Sequence, residues 1–271
     1  MKLCVLGSGS RGNAVLMQSG DTRILIDAGF GPRIMAQRLA RIGVDPRSIE
    51  AVVVTHEHID HVRGAAAGAR KWGWTIHATA GTKGAWLPLS KCGTQVIAAG
   101  DQFAIGEIDV TTVHTSHDAT EPVAVIATGR STGVRAAIVY DLGVMTDSVR
   151  RALELVDILV IESNHDSNML RNGPYPASLK RRIASREGHL SNRAAGIAAA
   201  ECAHRGLSHV VLAHLSETNN TPQAATQSMQ DALRRTPFRG MIVAASQDNP
   251  SRAVSADKHA AFGAAQLSLE L

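Results

Sequence analysis

The sequence predicts an α/β protein in which two αβ layers pack sheet to sheet. Short runs rich in β-branched residues alternate with helical patterns along most of the 271 residues. Several of those runs, in both halves of the chain, end in a histidine or an aspartate. Hydrophobic residues make up 44 % of the chain, ample for a sizeable core. One domain spanning 1–271 is expected, because large α/β sandwiches often run to this length.

Local pattern places the elements in order. Strands are expected at about 2–6, 13–18 and 23–28, followed by a helix over 32–42. The apolar run Ala51-Val52-Val53-Val54 is short and uninterrupted, so 51–55 reads as a buried strand. A helical pattern over 62–72 precedes a strand at 75–79, and further strands follow near 94–98, 107–114, 122–128 and 134–140. Residues 146–155 look helical and 157–161 form another strand; from about 164 to 206 only helical stretches appear, such as 191–205. A strand at 209–213, a helix over 222–235 and a strand at 240–245 close the second half. The tail 251–271 is Ala-rich, and the alternation of Leu267, Leu269 and Leu271 fits an edge strand.

The most informative run is Thr55-His56-Glu57-His58-Ile59-Asp60-His61, directly after the strand at 51–55. It offers four metal-ligating side chains, His56, His58, Asp60 and His61, where a strand gives way to a loop and then a helix. A turn there sends two imidazoles toward one ion and the Asp/His pair toward a second. Neutral imidazole and carboxylate suit zinc, manganese or iron, and no thiolate takes part.

A His-x-His-x-Asp-His run after a hydrophobic strand resembles the signature of the metallo-β-lactamase superfamily. The resemblance implies a four-layer αββα sandwich with a two-metal site at one edge. It also implies three further ligands, each following an apolar run. His117 would complete the first site with His56 and His58, His214 would complete the second with Asp60 and His61, and Asp141 would bridge both. His117 is preferred to His114 because His114 falls inside the alternating strand 108–114, whereas His117 lies beyond it. An aspartate rather than a cysteine at 141 disfavours the lactam-hydrolysing members and favours phosphodiester or thioester hydrolysis.

A narrower similarity runs through residues 7–14, 116–122, 162–170, 188–192 and 213–222. These segments resemble the WalJ/YycJ group, bacterial proteins of the nuclease and phosphodiesterase branch associated with 5′-to-3′ exonuclease activity on double-stranded DNA. The resemblance implies two divalent ions (Zn²⁺, Mn²⁺ or Fe²⁺) and duplex DNA as partner. A related branch contains small-molecule cyclic phosphodiesterases, so a small phosphodiester or thioester substrate is the alternative. A non-catalytic nucleic-acid-binding or regulatory protein is the alternative of another class. About 70 residues separate Asp141 from His214, too few for a helical insert of the type that clamps RNA in larger nucleases of the superfamily.

Beyond the ligands, Asp60 is expected to orient the nucleophile as well as bind metal. His189 precedes the helical stretch 193–205, where Ser191 or Asn192 could cap the helix and free N–H groups could receive a phosphate. An imidazole there could protonate a leaving oxygen. His165 follows the strand 157–161 and should share the ligand rim, as a site residue or as scaffold. The Gly-rich loop with Ser8, Ser10 and Asn13 is placed near the metals, and the substrate, by the resemblance. His77, His204, His209 and His259 read as structural or surface histidines. Lys180, Arg181, Arg182, Arg186 and Arg193 form the densest basic cluster, which fits either a solvated helical face or a grip on a phosphate backbone. The net charge of +4 and pI near 9.2 suit an anionic substrate. Aromatic residues are only 3 % of the chain, so backbone contacts with a duplex are favoured over base stacking. No apolar stretch approaches the roughly 18 residues of a membrane span. The N-terminus enters a strand at once, without a signal-peptide pattern. Cys4, Cys92 and Cys202 are odd in number and scattered, which fits a reducing cytoplasm.

Overall fold

The fold is described over residues 1–257 of a computed structural model. Strands β1 (Lys2–Gly7), β2 (Ala14–Ser19), β3 (Thr22–Ile26), β4 (Ala51–Val53), β5 (Thr75–Thr79) and β6 (Gln95–Ile97) build one sheet. Strands β7 (Gln102–Ile105), β8 (Ile108–His114), β9 (Val123–Gly129), β10 (Arg135–Val139), β11 (Ile158–Glu162), β12 (His209–Ala213) and β13 (Met241–Ala244) build the other, and β14 (Val254–Ser255) returns to the edge beside β1. The strand orders are β14-β1-β2-β3-β4-β5-β6 and β13-β12-β11-β10-β9-β8-β7.

The continuous apolar runs are explained by burial on both faces. Successive strand residues point to opposite sides. Val53 and Val160 therefore face the other sheet, in a core that includes Val5, Met17, Ile138 and Val211. Their neighbours Val52 and Leu159 face outward into two separate apolar layers under helices. On the first sheet, α1 (Pro32–Arg41), α2 (Ile59–Val62), α3 (Ala65–Trp72), α4 (Ala80–Ala85) and α5 (Leu87–Ser90) lie in this half, and Leu39, Val62, Ala65 and Leu89 close its outer layer. On the second, α6 (Asp147–Ala152), α7 (Ser167–Asn172), α8 (Ala177–Ile183), α9 (Asn192–Glu201) and α10 (Pro222–Leu233) follow, and Val149, Ala199 and Met229 pack against Leu159. The result is the four-layer αββα sandwich.

Two local differences from the sequence expectation have physical causes. The helix expected over 62–72 is split into α2 and α3 at Gly64. Its N–H donates to Ala28 O at 2.7 Å, and a Cβ at that position would collide with the carbonyl oxygens of Phe30 and Ala28. Strand β7 carries no clear apolar pattern because it is an edge strand with one buried residue, Ile105. The edge strand expected at Leu267–Leu271, and His259, lie outside the described residues; among those described, Val254 of β14 pairs with Leu3 of β1. No helix among the described residues is long and apolar enough to cross a membrane.

Strand register sets up the site. In the parallel trio β10, β11 and β12, Val139 pairs with Ile161 and Ile161 with Leu212. Asp141, Glu162 and His214 therefore leave the sheet at one edge. In the first sheet Ile26 pairs with Val53, which brings Asp27 and the 55–61 run to the same rim.

Candidate metal centre

Asp27, Asp141 and His214, each at or just beyond a strand end, adopt left-handed φ angles of 61°, 52° and 52°. Such values disfavour residues with a Cβ by about 1–2 kcal/mol each and concentrate at functional sites. The turns bend the backbone at the ends of the strands that bring these side chains to the rim. Loop 55–58 and α2, with His58 as its N-cap residue, add the rest.

Ligating atoms lie within 4.8 Å of one another in overlapping groups: His56, His58 and His117; Asp60, His61 and His214; His56, His61 and Asp141; and Asp141, Glu162, His189 and His214. Asp141 is central. Its Oδ2 lies 3.5 Å from His56 Nε2 and 2.5 Å from His61 Nε2, and its Oδ1 lies 2.9 Å from His214 Nδ1.

The hydrogen bonds around these rings fit a cation rather than a hydrogen-bonded polar core. His58 Nε2 contacts Asp118 O at 3.2 Å and His117 Nδ1 contacts Gly188 O at 3.2 Å. A carbonyl only accepts, so both contacting nitrogens carry the proton. Neutral imidazoles so oriented turn their lone pairs, on His58 Nδ1 and His117 Nε2, toward one another at 3.2 Å. His61 Nδ1 likewise faces Asp27 Oδ2 at 2.7 Å, leaving Nε2 against Asp141. His56 Nε2 is buried without a hydrogen bond, although buried polar groups are nearly always paired. Facing lone pairs and an orphaned ring nitrogen are reconciled by divalent ions, and an all-nitrogen-and-oxygen donor set suits Zn²⁺ or Mn²⁺.

Electrostatics follow from the same packing. Burial alone would raise Asp141 and Asp60, yet the neighbouring His61 and His214 hold both well below the usual carboxylate range. Conversely, burial would lower His61 and His214, but Asp141 carries both above the ordinary imidazole value. Burial pushes His56 and His117 down, toward the neutral form that ligates. His189 is driven to about 9: burial opposes this, but Glu162 and Asp141 outweigh it.

A supporting layer fixes the rings. Asp27 accepts from Thr55 N at 2.7 Å, Thr55 Oγ1 at 2.8 Å and Tyr140 OH at 2.7 Å, besides facing His61. Gly188, whose carbonyl meets His117 Nδ1, packs tightly on the end of α8, where a Cβ would strike the Arg182 and Ile183 carbonyl groups.

The structure gathers His56, His58, Asp60, His61, His117, Asp141, His214 and His189 into this cluster, while His114 stays exposed at the end of β8. Ser10 and Arg182 line the adjoining cleft. Other expected site residues need correction. Ser8 is buried, accepts from His214 N at 2.8 Å and donates to Asn13 Oδ1 at 2.8 Å. Asn13 is buried and donates to Gly9 O and Asp60 Oδ2. Asn192 is buried and accepts from Ser163 Oγ and Asn220 Nδ2. These three hold the loops that carry ligands instead of facing a substrate. His165 is 4 % exposed; its carbonyl accepts from Asn192 N and its ring is not part of the cleft lining. Arg181 is exposed but is not part of that lining either.

Glu162 and Asp27 join the site without having been expected from the sequence. Both sit as Asp141 does, a carboxylate closing or closely following an apolar strand. Asp118, which takes Arg182 Nε at 2.7 Å, has no such signal because it sits in a loop.

Two sheets packed face to face, with a His/Asp cluster buried at their shared edge, define a metal-dependent α/β hydrolase. The profile of the metallo-beta-lactamase superfamily matches residues 7–143. The chain belongs to the metallo-β-lactamase superfamily. It is 33 % identical to the exodeoxyribonuclease YycJ of Bacillus anthracis over 240 residues, 86 % of this chain and 89 % of that protein. It is 31 % identical to the exodeoxyribonuclease WalJ of Streptococcus pneumoniae over 238 residues, 86 % and 88 % of the two chains. Among solved structures, the metallo-β-lactamase fold protein YhfI of Bacillus subtilis superposes with a TM-score of 0.70 at 20 % identity, covering 92 % of this chain and 98 % of that one. Zn²⁺-bound PqqB of Methylobacterium extorquens gives 0.67 at 18 % identity, covering 93 % and 99 %. At these identities the solved structures speak for the fold alone.

Proposed function

We propose that this protein is a dinuclear metal-dependent phosphodiesterase that degrades double-stranded DNA from the 5′ end. The observation that carries the reading is Asp141, a hard oxygen donor between two His-rich groups with no cysteine among them. The exodeoxyribonuclease names of relatives aligned over 86 % of the chain support DNA as the substrate. His56, His58 and His117 would hold one ion and Asp60, His61 and His214 the other, with Asp141 within reach of both groups. When bound, such a pair supplies a deprotonated water and neutralises charge on the phosphoryl oxygens.

The chain's own residues do the rest. Asp60, steadied by Asn13 Nδ2 at 3.2 Å and lining the cleft, orients the attacking water. His189, kept protonated by Glu162 at 2.6 Å, donates its proton to the leaving oxygen. Arg182, poised over Asp118 at the cleft, receives the phosphate entering the site. A cytoplasmic location suits the three free thiols Cys4, Cys92 and Cys202.

The test is a screen of Mn²⁺- or Zn²⁺-loaded protein against 5′-labelled duplex, labelled single strand and bis-p-nitrophenyl phosphate. Release of mononucleotides from the duplex 5′ end is expected. Turnover of the small diester alone would favour a small-molecule phosphodiesterase, and duplex binding without turnover a non-catalytic DNA-binding protein.

A further inference from the structure

Helix α8 buries none of its residues, although it carries Leu179 and Ile183 one turn apart on a single face. The helix is nevertheless tied to the site. Lys180 Nζ donates to Arg171 O at 2.8 Å, Arg182 pairs with Asp118, and His189 N donates to Ile183 O at 2.8 Å. Its apolar stripe is thus free of the core and lines the same cleft as Asp60, Asp141 and His189.

Tyr175, just before the helix, lines that cleft too, the only Phe, Tyr or Trp among its described lining residues. The other tyrosine, Tyr140, is buried against Asp27. Tyr175 stands between Pro174 and Pro176. The first proline fixes its own φ, and the second restricts the residue before it. Little backbone freedom remains to be lost when something stacks on the ring.

We infer that Tyr175, with Leu179 and Ile183, forms a stacking wall for the nucleobase of the strand's terminal nucleotide, in the cleft that also holds the His/Asp cluster. The inference rests on the phosphodiesterase reading above and adds to it the side of the cleft that holds the base. Charge and size both point to a nucleotide. Arg182 lines the cleft together with the apolar wall and the proposed metal ligands, matching a phosphate beside an aromatic ring. The cleft volume, about 320 Å³, falls at the lower end of the roughly 300–1,000 Å³ typical of small-ligand sites. It is enough to hold one nucleotide.

Calorimetric titration of the metal-loaded full chain with dAMP and with 2-deoxyribose 5-phosphate tests the wall. Base–aromatic stacking predicts about 5- to 150-fold tighter binding of dAMP. Tyr175→Ala should bring the ratio toward one while leaving 2-deoxyribose 5-phosphate affinity unchanged, and Tyr175→Phe should preserve it. Wild-type protein that fails to prefer dAMP, or that does not bind it measurably, overturns the inference. So does a Tyr175→Ala variant that keeps the preference or weakens both ligands equally. The outcome is separable from the exonuclease reading. Preference for dAMP without DNA cleavage would sink that reading and leave the wall, and DNA cleavage without the preference would do the reverse.

Discussion

Glu162 Oε1 lies 2.6 Å from His189 Nδ1 and 3.2 Å from His214 Nδ1, so one fully buried carboxylate at the end of β11 holds two rings of the site. It links a proposed metal ligand to the proposed proton donor. The link gives the first expected outcome.

His189→Ala should retain both metal ions but lower kcat by about 10²–10⁴-fold, and less for a p-nitrophenolate leaving group that needs no proton. Glu162→Gln should move the alkaline limb of the kcat–pH profile to lower pH. Against burial, Glu162 is the leading influence lifting His189 to about 9, and an acid stops donating once pH exceeds its pKa. A variant whose limb stays put would separate Glu162 from the proton donor.

Saturated protein should contain two divalent ions per chain, and Asp27→Asn should weaken metal retention by about 10- to 100-fold. Asn at 27 can no longer hold His61 Nδ1–H as an ionised acceptor, while Thr55 and Tyr140 keep a partner. Elemental analysis after dialysis against graded chelator measures this. Unchanged retention would mean that His61 needs no such support.

Metal-free protein should lose stability as pH rises from about 6.5 toward 9. Against burial, Asp141 raises His61 and His214, and Glu162 with Asp141 raises His189. Charge on such groups stabilises the fold fully below the unfolded imidazole value of about 6.5 and is lost as pH climbs through the folded value. His56 and His117, held low by burial, are neutral in the fold, so they add an opposing slope only near pH 6.5, where the unfolded imidazoles still carry protons, and none at the alkaline end. Added Mn²⁺ should stabilise more at the alkaline end, because ligation requires neutral imidazole and releases protons. Melting curves with EDTA and with Mn²⁺ should therefore slope oppositely; parallel curves would count against the assigned charges.

Arg181→Glu and Arg182→Glu should behave differently despite adjacency. Arg181 lies outside the cleft lining, so its reversal should weaken duplex binding while sparing small-diester turnover. The salt dependence of binding should flatten by about one unit of slope for each phosphate no longer neutralised. Arg182 pairs with Asp118 in the cleft, and its reversal should impair both substrates. Equal effects of the two variants would show that α8 contributes only a diffuse positive field.

The strands and the 55–61 ligand run could be read from the chain because each depends on short-range pattern, whereas the further ligands His117, Asp141 and His214 are expected from the family resemblance. A strand buried on both faces must be continuously apolar, so Val52–Val54, Ile138–Val139 and Val210–Leu212 announce their ends, and His56, Asp141 and His214 stand just beyond them. Backbone hydrogen bonding fixes that periodicity within a window of a few residues. Which way a polar residue beyond the strand points is decided elsewhere. Ser8 turns to His214 N across 206 positions of sequence, and Asp27 takes Tyr140 OH across 113. Ser8, Asn13 and Asn192 look like rim residues in the sequence and become scaffold because distant backbone and amide groups claim their hydrogen bonds. Tyr175 shows the converse: a low aromatic content says nothing about where the few rings lie, and tertiary packing of an otherwise unburied helix places this one in the cleft. Local pattern determines which residues reach the rim, and long-range hydrogen bonds and packing decide which of them face the substrate.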